Sequence, residues 1–240
     1  IKASAGAETT LKIILSVLLI SGLASYAQEK ATESNLSLGV DVQSRYIWRG
    51  LQLGGASPSI QPSVEYASGK FAFGAWGAYA TGGINKFQET DLYMSLAASE
   101  TLSFTVTDYF FPEEGALNSY FNYGDATGHV YELMLSFSGT KSFPIGFTVA
   151  TNFAGASTGS TYVETNYSKK VGEVEYSLFA GAVFGDNDGY YLTDGSGLIN
   201  LGMSVSKEIK ITDSFSLPVN AALIFNPDQE NIYLTFGFSL

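Results

Sequence analysis

The sequence contains no cysteine, only one histidine and few charged side chains. The absence of cysteine excludes disulfide bonds. Charged residues make up 15% of the chain, whereas about 25% is usual for soluble domains. Twelve residues are basic and 23 are acidic, so the formal net charge is −11. Because phosphate binding needs a basic surface, this balance excludes nucleic acid as a partner.

Long apolar runs are missing as well. The run IILSVLLI at residues 13–20 is shorter than the roughly 20 residues that a membrane-spanning helix needs. Lys12 precedes it, and small residues follow at positions 25 and 27, an order that is typical of a secretory signal. The sequence therefore predicts a cleavable signal peptide at 1–27 and a mature domain at 28–240.

The mature part shows apolar and polar residues that alternate with a period of two. Over residues 36–49 one parity is almost entirely apolar or aromatic, and the other carries Asp41, Arg45 and Arg49. Because successive side chains of a strand point to opposite faces, we predict one long strand over 36–49. Tyr46 and Trp48 belong to its apolar face, near its end.

Twelve segments with this alternation follow one another, and short turns alternate with longer polar connections. Outer-membrane barrels have short periplasmic turns and longer external loops. The fold class that we predict is all-β: a transmembrane antiparallel up-and-down β-barrel of about 12 strands in the bacterial outer membrane, with both termini periplasmic. A secreted β-sandwich or jelly roll remains an alternative, since its strands also alternate.

Several blocks occur together in a fixed order between Ser44 and Pro112: SRYIWRGLQLG, PSIQPSVEY, FAFGAWGAYA, ETDLYMSLA and FTVTDYFFP. In this combination the chain resembles the TorF-like porin family, a group of Gram-negative outer-membrane proteins. The resemblance implies a pore-forming barrel. It implies neither a particular solute nor any catalytic or binding residue.

The polar parity of the predicted strands places charged side chains in the lumen. Rings of acidic side chains favour cations, so we predict a small, weakly cation-preferring channel for solutes or ions. Arg45 and Arg49 either form a constriction that faces the acidic wall or pair with acids on neighbouring strands and plug the barrel. The predicted pore-lining residues are Asp41, Arg45, Arg49, Glu65, Asp91, Glu132, Glu164 and Glu175.

Aromatic residues near the strand ends predict two girdles at the membrane interfaces. The outer girdle takes Tyr46, Trp48, Tyr79 and Phe110, and the inner girdle takes Phe71, Phe143 and Phe215. Among the acidic loops, DNDG at residues 186–189 resembles half of a calcium loop, with Asp186 and Asp188 as weak candidate ligands. It lacks the glutamate that would complete such a loop, and a solvated turn is the alternative.

Other functions are less well supported by the residues. The single histidine, His129, has no recognisable nucleophile or carboxylate partner nearby in the sequence, so we do not predict an enzyme. A non-conducting structural or adhesive barrel remains possible, with aromatic residues of the segment 111–128 against a partner. We expect no cofactor. The expected partners are outer-membrane lipid and lipopolysaccharide, together with the solutes themselves.

Overall fold

The computed structural model describes residues 35–82, 87–112, 119–123 and 128–240. The predicted signal peptide, residues 1–27, lies outside these ranges. Within them every regular element is a β-strand, and no helix there is long and apolar enough to cross a membrane. The strands are β1 (Leu36–Gln43), β2 (Tyr46–Trp48), β3 (Leu51–Leu53), β4 (Ser59–Ser68), β5 (Phe71–Ala80), β6 (Gln88–Ala97), β7 (Leu102–Phe110), β8 (His129–Phe137), β9 (Ile145–Gly155), β10 (Thr161–Val171), β11 (Val174–Asp186), β12 (Gly195–Lys210), β13 (Ser216–Asn226) and β14 (Asn231–Ser239).

Twelve of these strands, β1 and β4–β14, form one closed antiparallel barrel in which each strand pairs with its neighbours in the chain. The predicted fold class and strand number are therefore confirmed. The barrel closes where β1 meets β14, with Asp41 opposite Ser239 and Gln43 opposite Gly237. Backbone hydrogen bonds between Val40 and Leu240 extend this seam.

The two faces of the barrel wall differ in polarity because the strands alternate. In β8, Glu132 is fully buried inside, whereas the adjacent Leu133 is 47% exposed outside. Other apolar side chains on the outer face are exposed in the same way, among them Phe73, Met94 and Met203. An apolar outer surface around a polar interior is the arrangement of an outer-membrane barrel.

The two ends of the barrel carry different connections. We call the end with residues 69–70, 98–101, 138–144, 172–173 and 211–215 the turn end; β1 begins and β14 ends there. The opposite, loop end carries the connections 44–58, 81–87, 111–128, 156–160, 187–194 and 227–230. Three of these six loops, 44–58, 111–128 and 187–194, are longer than every turn. The connections 81–87, 156–160 and 227–230 are no longer than the longest turn, 138–144, so the predicted asymmetry holds only in part.

The prediction of one strand over 36–49 is wrong. β1 ends at Gln43, and β2 and β3 form a separate two-stranded sheet outside the barrel ladder. Residues 51–53, which lie beyond the end of the predicted strand, form β3 of this small sheet. The alternation continues past Gln43 because a hairpin packed inside the barrel also has two unlike faces.

Candidate functional site: a plug hairpin above a luminal vestibule

The connection between β1 and β4 carries a β-hairpin that fills part of the lumen. We call residues 46–53, which comprise β2 and β3, the plug hairpin; Tyr46 pairs with Leu53 and Trp48 with Leu51. Its two central turn residues, Arg49 and Gly50, have φ values of 49° and 82°. Positive φ at both positions is the requirement of a tight type I′ turn, which joins two antiparallel strands without splaying them.

The tip of the plug hairpin presses against the far barrel wall. A Cβ atom placed on Gly50 would lie 1.8 Å from the backbone oxygen of Ile199 in β12, so no larger residue fits. The side-chain amide of Asn226 in β13 donates a hydrogen bond of 3.2 Å to the Gly50 carbonyl. Glycine is therefore required here both for its backbone conformation and for the close approach to β12.

Beside Gly50, the Arg49 guanidinium forms a buried bidentate ion pair with Glu132 of β8. Arg49 Nη1 lies 2.5 Å from Glu132 Oε2, and Nη2 lies 2.9 Å from Oε1. Arg49 Nη1 also donates to the hydroxyl of Tyr191, and the hydroxyl of Tyr109 donates to Glu132 Oε1. Arg49 is 5% exposed and Glu132 is 0% exposed, so this pair joins the hairpin to the wall away from water.

Aromatic rings enclose the guanidinium on two sides. Arg49 Cζ lies 4.5 Å from the ring centroid of Trp48 and 4.6 Å from that of Tyr162. Tyr191 stacks on Trp48 at 5.3 Å and on Tyr162 at 6.0 Å, with the rings nearly parallel. A desolvated cation over an aromatic face is stabilised by about 2 kcal/mol or more, so the rings reinforce the ion pair.

Tyr191 reaches this position because the loop 187–194 also folds into the lumen. Asp186, at the end of β11, holds the base of the loop: its carboxylate accepts hydrogen bonds from the backbone N–H groups of Tyr191 and Thr193 and from the Ser160 hydroxyl. Asp188 accepts from the backbone N–H groups of Thr158 and Tyr190. Partial burial acts to raise the pKa of Asp188, but its hydrogen bonds outweigh this and lower the pKa below the ordinary value.

The two aspartates that we considered as calcium ligands thus have their oxygens directed at protein donors. In the described part of the chain, no group of three or more His, Cys, Asp or Glu side chains is arranged to hold a metal ion. The carboxylates of Asp186 and Asp188 fasten the loop that supplies Tyr191.

Between the plug hairpin and the turn end lies a cavity of about 1700 Å³, which we call the vestibule. Arg45, which flanks the hairpin, and the hairpin residues Ile47 and Arg49 line one side of it, and residues of the turns line the other. Its wall is rich in hydroxyl and amide groups, such as those of Thr148, Asn166 and Ser204. The vestibule therefore connects the turn end to the plug through a polar space.

The charges around the vestibule are mixed. Four lysines that sequence reasoning left out line it together with acidic residues: Lys141, Lys170, Lys207 and Lys210 beside Glu100, Glu164, Glu173, Glu175 and Glu208. Lys207 donates to Glu173 at 2.9 Å, and this hydrogen bond lowers the pKa of that carboxyl. The positive and negative charges at the turn end are therefore closer to equal in number than the strand parity of the sequence predicted.

The residues predicted to line the pore occupy three different places. Arg45, Arg49, Glu164 and Glu175 line the vestibule. Glu65, Asp91 and Glu132 are at most 7% exposed. Asp41 accepts a hydrogen bond from Ser239 at the seam. The two arginines lie on the inserted hairpin and its flank, not on a barrel strand, and Arg45 donates to Gln52 at 2.6 Å.

Three of the predicted girdle residues are placed differently from our prediction. Tyr46 and Trp48 are 3% and 7% exposed because the hairpin carries them into the lumen. Phe110 is 4% exposed because Tyr120 and His129 cover its ring. The other four, Tyr79, Phe71, Phe143 and Phe215, are between 39% and 46% exposed at the strand ends.

His129 lies at the loop end, on the outer parity of β8, and both of its ring nitrogens contact protein groups. Nδ1 is 2.7 Å from Asp108 Oδ1, and Nε2 is 2.8 Å from the backbone oxygen of Tyr120. The Tyr120 hydroxyl donates to the other Asp108 oxygen. Asp108, the carboxylate that the sequence places on the apolar parity, is thus paired with the histidine.

Sequence reasoning missed several central residues of the plug. Tyr109 and Tyr162 have the same strand parity as other luminal residues, so the alternation itself was a signal for them. Glu89 lies two residues before Asp91 in β6 and shares its luminal face. Tyr191 carried no such signal, because it lies in a loop outside any periodic segment.

One known family matches most of the chain. A family described as a bacterial protein of unknown function, Gcw_chp, matches residues 27–216 of the chain. The chain belongs to the Gcw_chp family. The matched region includes the plug hairpin and the barrel strands from β1 to β12. Among curated proteins, no match to this Gcw_chp chain is found.

Proposed function

We propose that the protein is an outer-membrane diffusion channel for small solutes or ions, held closed by the plug hairpin in the conformation described above. The observation that carries this proposal is the pairing of a polar vestibule with a plug that lies across its inner end. Twelve strands enclose a wider interior than the eight that side chains alone can fill. The extra space is occupied at the loop end and open toward the turn end.

Three features support a membrane location and the orientation that we propose. The outer face is apolar, the exposed Tyr79, Phe71, Phe143 and Phe215 lie at the strand ends, and the sequence begins with a segment typical of a secretory signal. We place the turn end, with both termini, on the periplasmic side. The vestibule then opens to the periplasm and the plug lies toward the cell exterior, among lipid and lipopolysaccharide.

We propose a weak cation preference for the open state. Around the plug, the luminal carboxylates Glu89, Asp91, Glu132 and Glu164 outnumber Arg45 and Arg49. The mixed charges of the vestibule keep this preference small. The proposal includes transport only, without a catalytic step or a cofactor.

One observation favours a second candidate function, a non-conducting structural barrel. The charged and aromatic groups of the plug have partners within the protein. Glu132 neutralises Arg49, and Trp48 stacks on Tyr191. A purely structural barrel could keep all of these contacts permanently, whereas a channel must break them to open.

Single-channel recording distinguishes these two functions. Residues 28–240 are refolded and placed in a planar bilayer under a salt gradient, beside a variant in which Arg45 and Arg49 are both alanine. We expect rare or small openings for the original chain and frequent, cation-selective steps for the variant. A folded variant that shows no steps at all would contradict the channel and leave the structural barrel.

A further inference from the structure

Two carboxyl groups of β6 lie side by side in the lumen next to the plug hairpin. Glu89 and Asp91 are two residues apart and therefore share one strand face; they are 1% and 5% exposed. The two carboxyl groups are hydrogen-bonded to each other, and Glu89 is also hydrogen-bonded to the Tyr46 hydroxyl of the hairpin. A hydrogen bond between two carboxyl groups requires one proton, so this arrangement holds at most a single negative charge.

The described part of the chain provides no cation for this pair. Arg49 is engaged by Glu132, and Arg45 donates to Gln52. One oxygen of each carboxyl group, Glu89 Oε2 and Asp91 Oδ1, is buried without a hydrogen-bond partner. Buried charge is costly unless it is paired or coordinates a metal ion. The pair therefore has two oxygen atoms available as ligands.

A third group in this region comes from a different element. The hydroxyl oxygen of Tyr190, in the loop 187–194, is also buried and without a hydrogen-bond partner. The Tyr190 ring packs edge-on against Trp48 of the plug hairpin, with the ring centroids 5.8 Å apart. Buried oxygen atoms of β6 and of the loop 187–194 thus both lie beside the plug hairpin.

We propose that Glu89 and Asp91, together with the hydroxyls of Tyr46 and Tyr190, form a binding site for a divalent cation such as Ca²⁺ or Mg²⁺. Hard divalent cations prefer oxygen ligands, and two carboxylates neutralise their charge. Binding releases the proton that the two carboxyl groups share, and water completes the coordination. The bound cation connects the hairpin and the loop to the wall.

Terbium luminescence tests the site directly and does not depend on channel activity. Tb³⁺ replaces Ca²⁺ at oxygen sites, and nearby tyrosines sensitise its emission. The full chain is refolded in detergent micelles and titrated with Tb³⁺, then with Ca²⁺ as competitor. We expect saturable emission that Ca²⁺ displaces. Absence of such emission from the folded chain would overturn the proposal, whatever the bilayer recordings show.

Matched variants locate the binding. Glu89→Gln and Asp91→Asn each remove one charge with little change in shape, and we expect each to abolish the emission. Glu164→Gln changes a luminal carboxyl group in the vestibule and is expected to keep it. Equal emission from all three variants would place the ion elsewhere and overturn the proposal.

A milder variant protects the test against misfolding. Tyr190→Phe removes a single hydroxyl, and folding is checked by the heat-dependent shift in gel mobility that barrels show. We expect weaker displacement by Ca²⁺ in this variant. An unchanged Ca²⁺ affinity would overturn the assignment of Tyr190 as a ligand and with it the four-oxygen site.

Discussion

Arg49 and Glu132 lie 83 positions apart in the chain and form a bidentate ion pair in the interior of the barrel. One residue is at the tip of an inserted hairpin, and the other is on a wall strand. The pair is therefore the main polar connection between the plug and the barrel, and its removal is the most direct way to test what the plug does.

The first prediction concerns this pair. Glu132→Gln leaves the Arg49 charge buried without a counter-charge, and we expect a loss of about 3–5 kcal/mol in stability and more frequent channel opening. Urea unfolding in micelles and bilayer recording measure the two effects. The double variant Arg49→Met with Glu132→Leu removes both charges and should lose much less stability. If the single and double variants were equally unstable, the ion pair would not be what holds the plug.

The second prediction separates two effects at the hairpin tip, the lack of space for a side chain and the positive φ of the backbone. Gly50 and Gly55 both have positive φ, but a Cβ on Gly50 meets the backbone of Ile199 whereas a Cβ on Gly55 meets nothing within 4 Å. Gly55→Ala should cost about 1–2 kcal/mol from backbone strain alone. Gly50→Ala should cost more and displace the plug, which raises conductance. Equal urea midpoints for the two variants would show that the tip does not press on β12.

The third prediction tests the two faces of the wall. The sequence contains no cysteine, so each introduced cysteine is the single site of labelling. Met203 is 52% exposed on the outer face, whereas the adjacent Ser204 lines the vestibule. In liposomes, a membrane-impermeant maleimide should label Ser204→Cys rapidly and Met203→Cys slowly, because lipid covers only the outer face. Equally fast labelling of Met203→Cys would argue against a membrane-embedded wall.

The fourth prediction concerns the loop that supplies Tyr191. Asp186→Ala leaves several buried donors unsatisfied, at about 1–3 kcal/mol for each, so the loop should detach and become sensitive to protease. Asp194→Ala changes an exposed carboxylate of the same loop and is the matched control. Cleavage within 187–194 at the same rate in both variants would contradict the anchoring role of Asp186.

Much of the wall was predictable from the sequence, and most of the plug was not. The barrel strands have one face toward an apolar and one toward a polar environment, so a period of two marks them clearly. The hairpin at Tyr46–Leu53 also alternates, because its own faces differ, and periodicity alone does not tell a wall strand from a hairpin inside the wall. Tyr46 and Trp48 were assigned to the outer surface for this reason.

Contacts between distant segments were equally hidden. In the sequence, the pattern around Asp186 resembles part of a cation site. In the structure its partners are backbone N–H groups, whose positions are defined only once the loop has folded. Glu89, in contrast, could have been predicted as a luminal residue, since it shares the strand parity of Asp91. The positive φ of Arg49, in contrast, could not be predicted, because glycine or asparagine usually marks such a conformation and this residue is an arginine.

The contacts of the hairpin tip also bear on the order of assembly. Gly50 meets Asn226 across 176 positions of the chain, and Arg49 meets Tyr191 across 142. Such contacts form only after most of the strands have been brought together, and long-range closure is slow. We therefore expect the hairpin, although it is made early in the sequence, to dock last. Its docking would then report that the barrel has been completed.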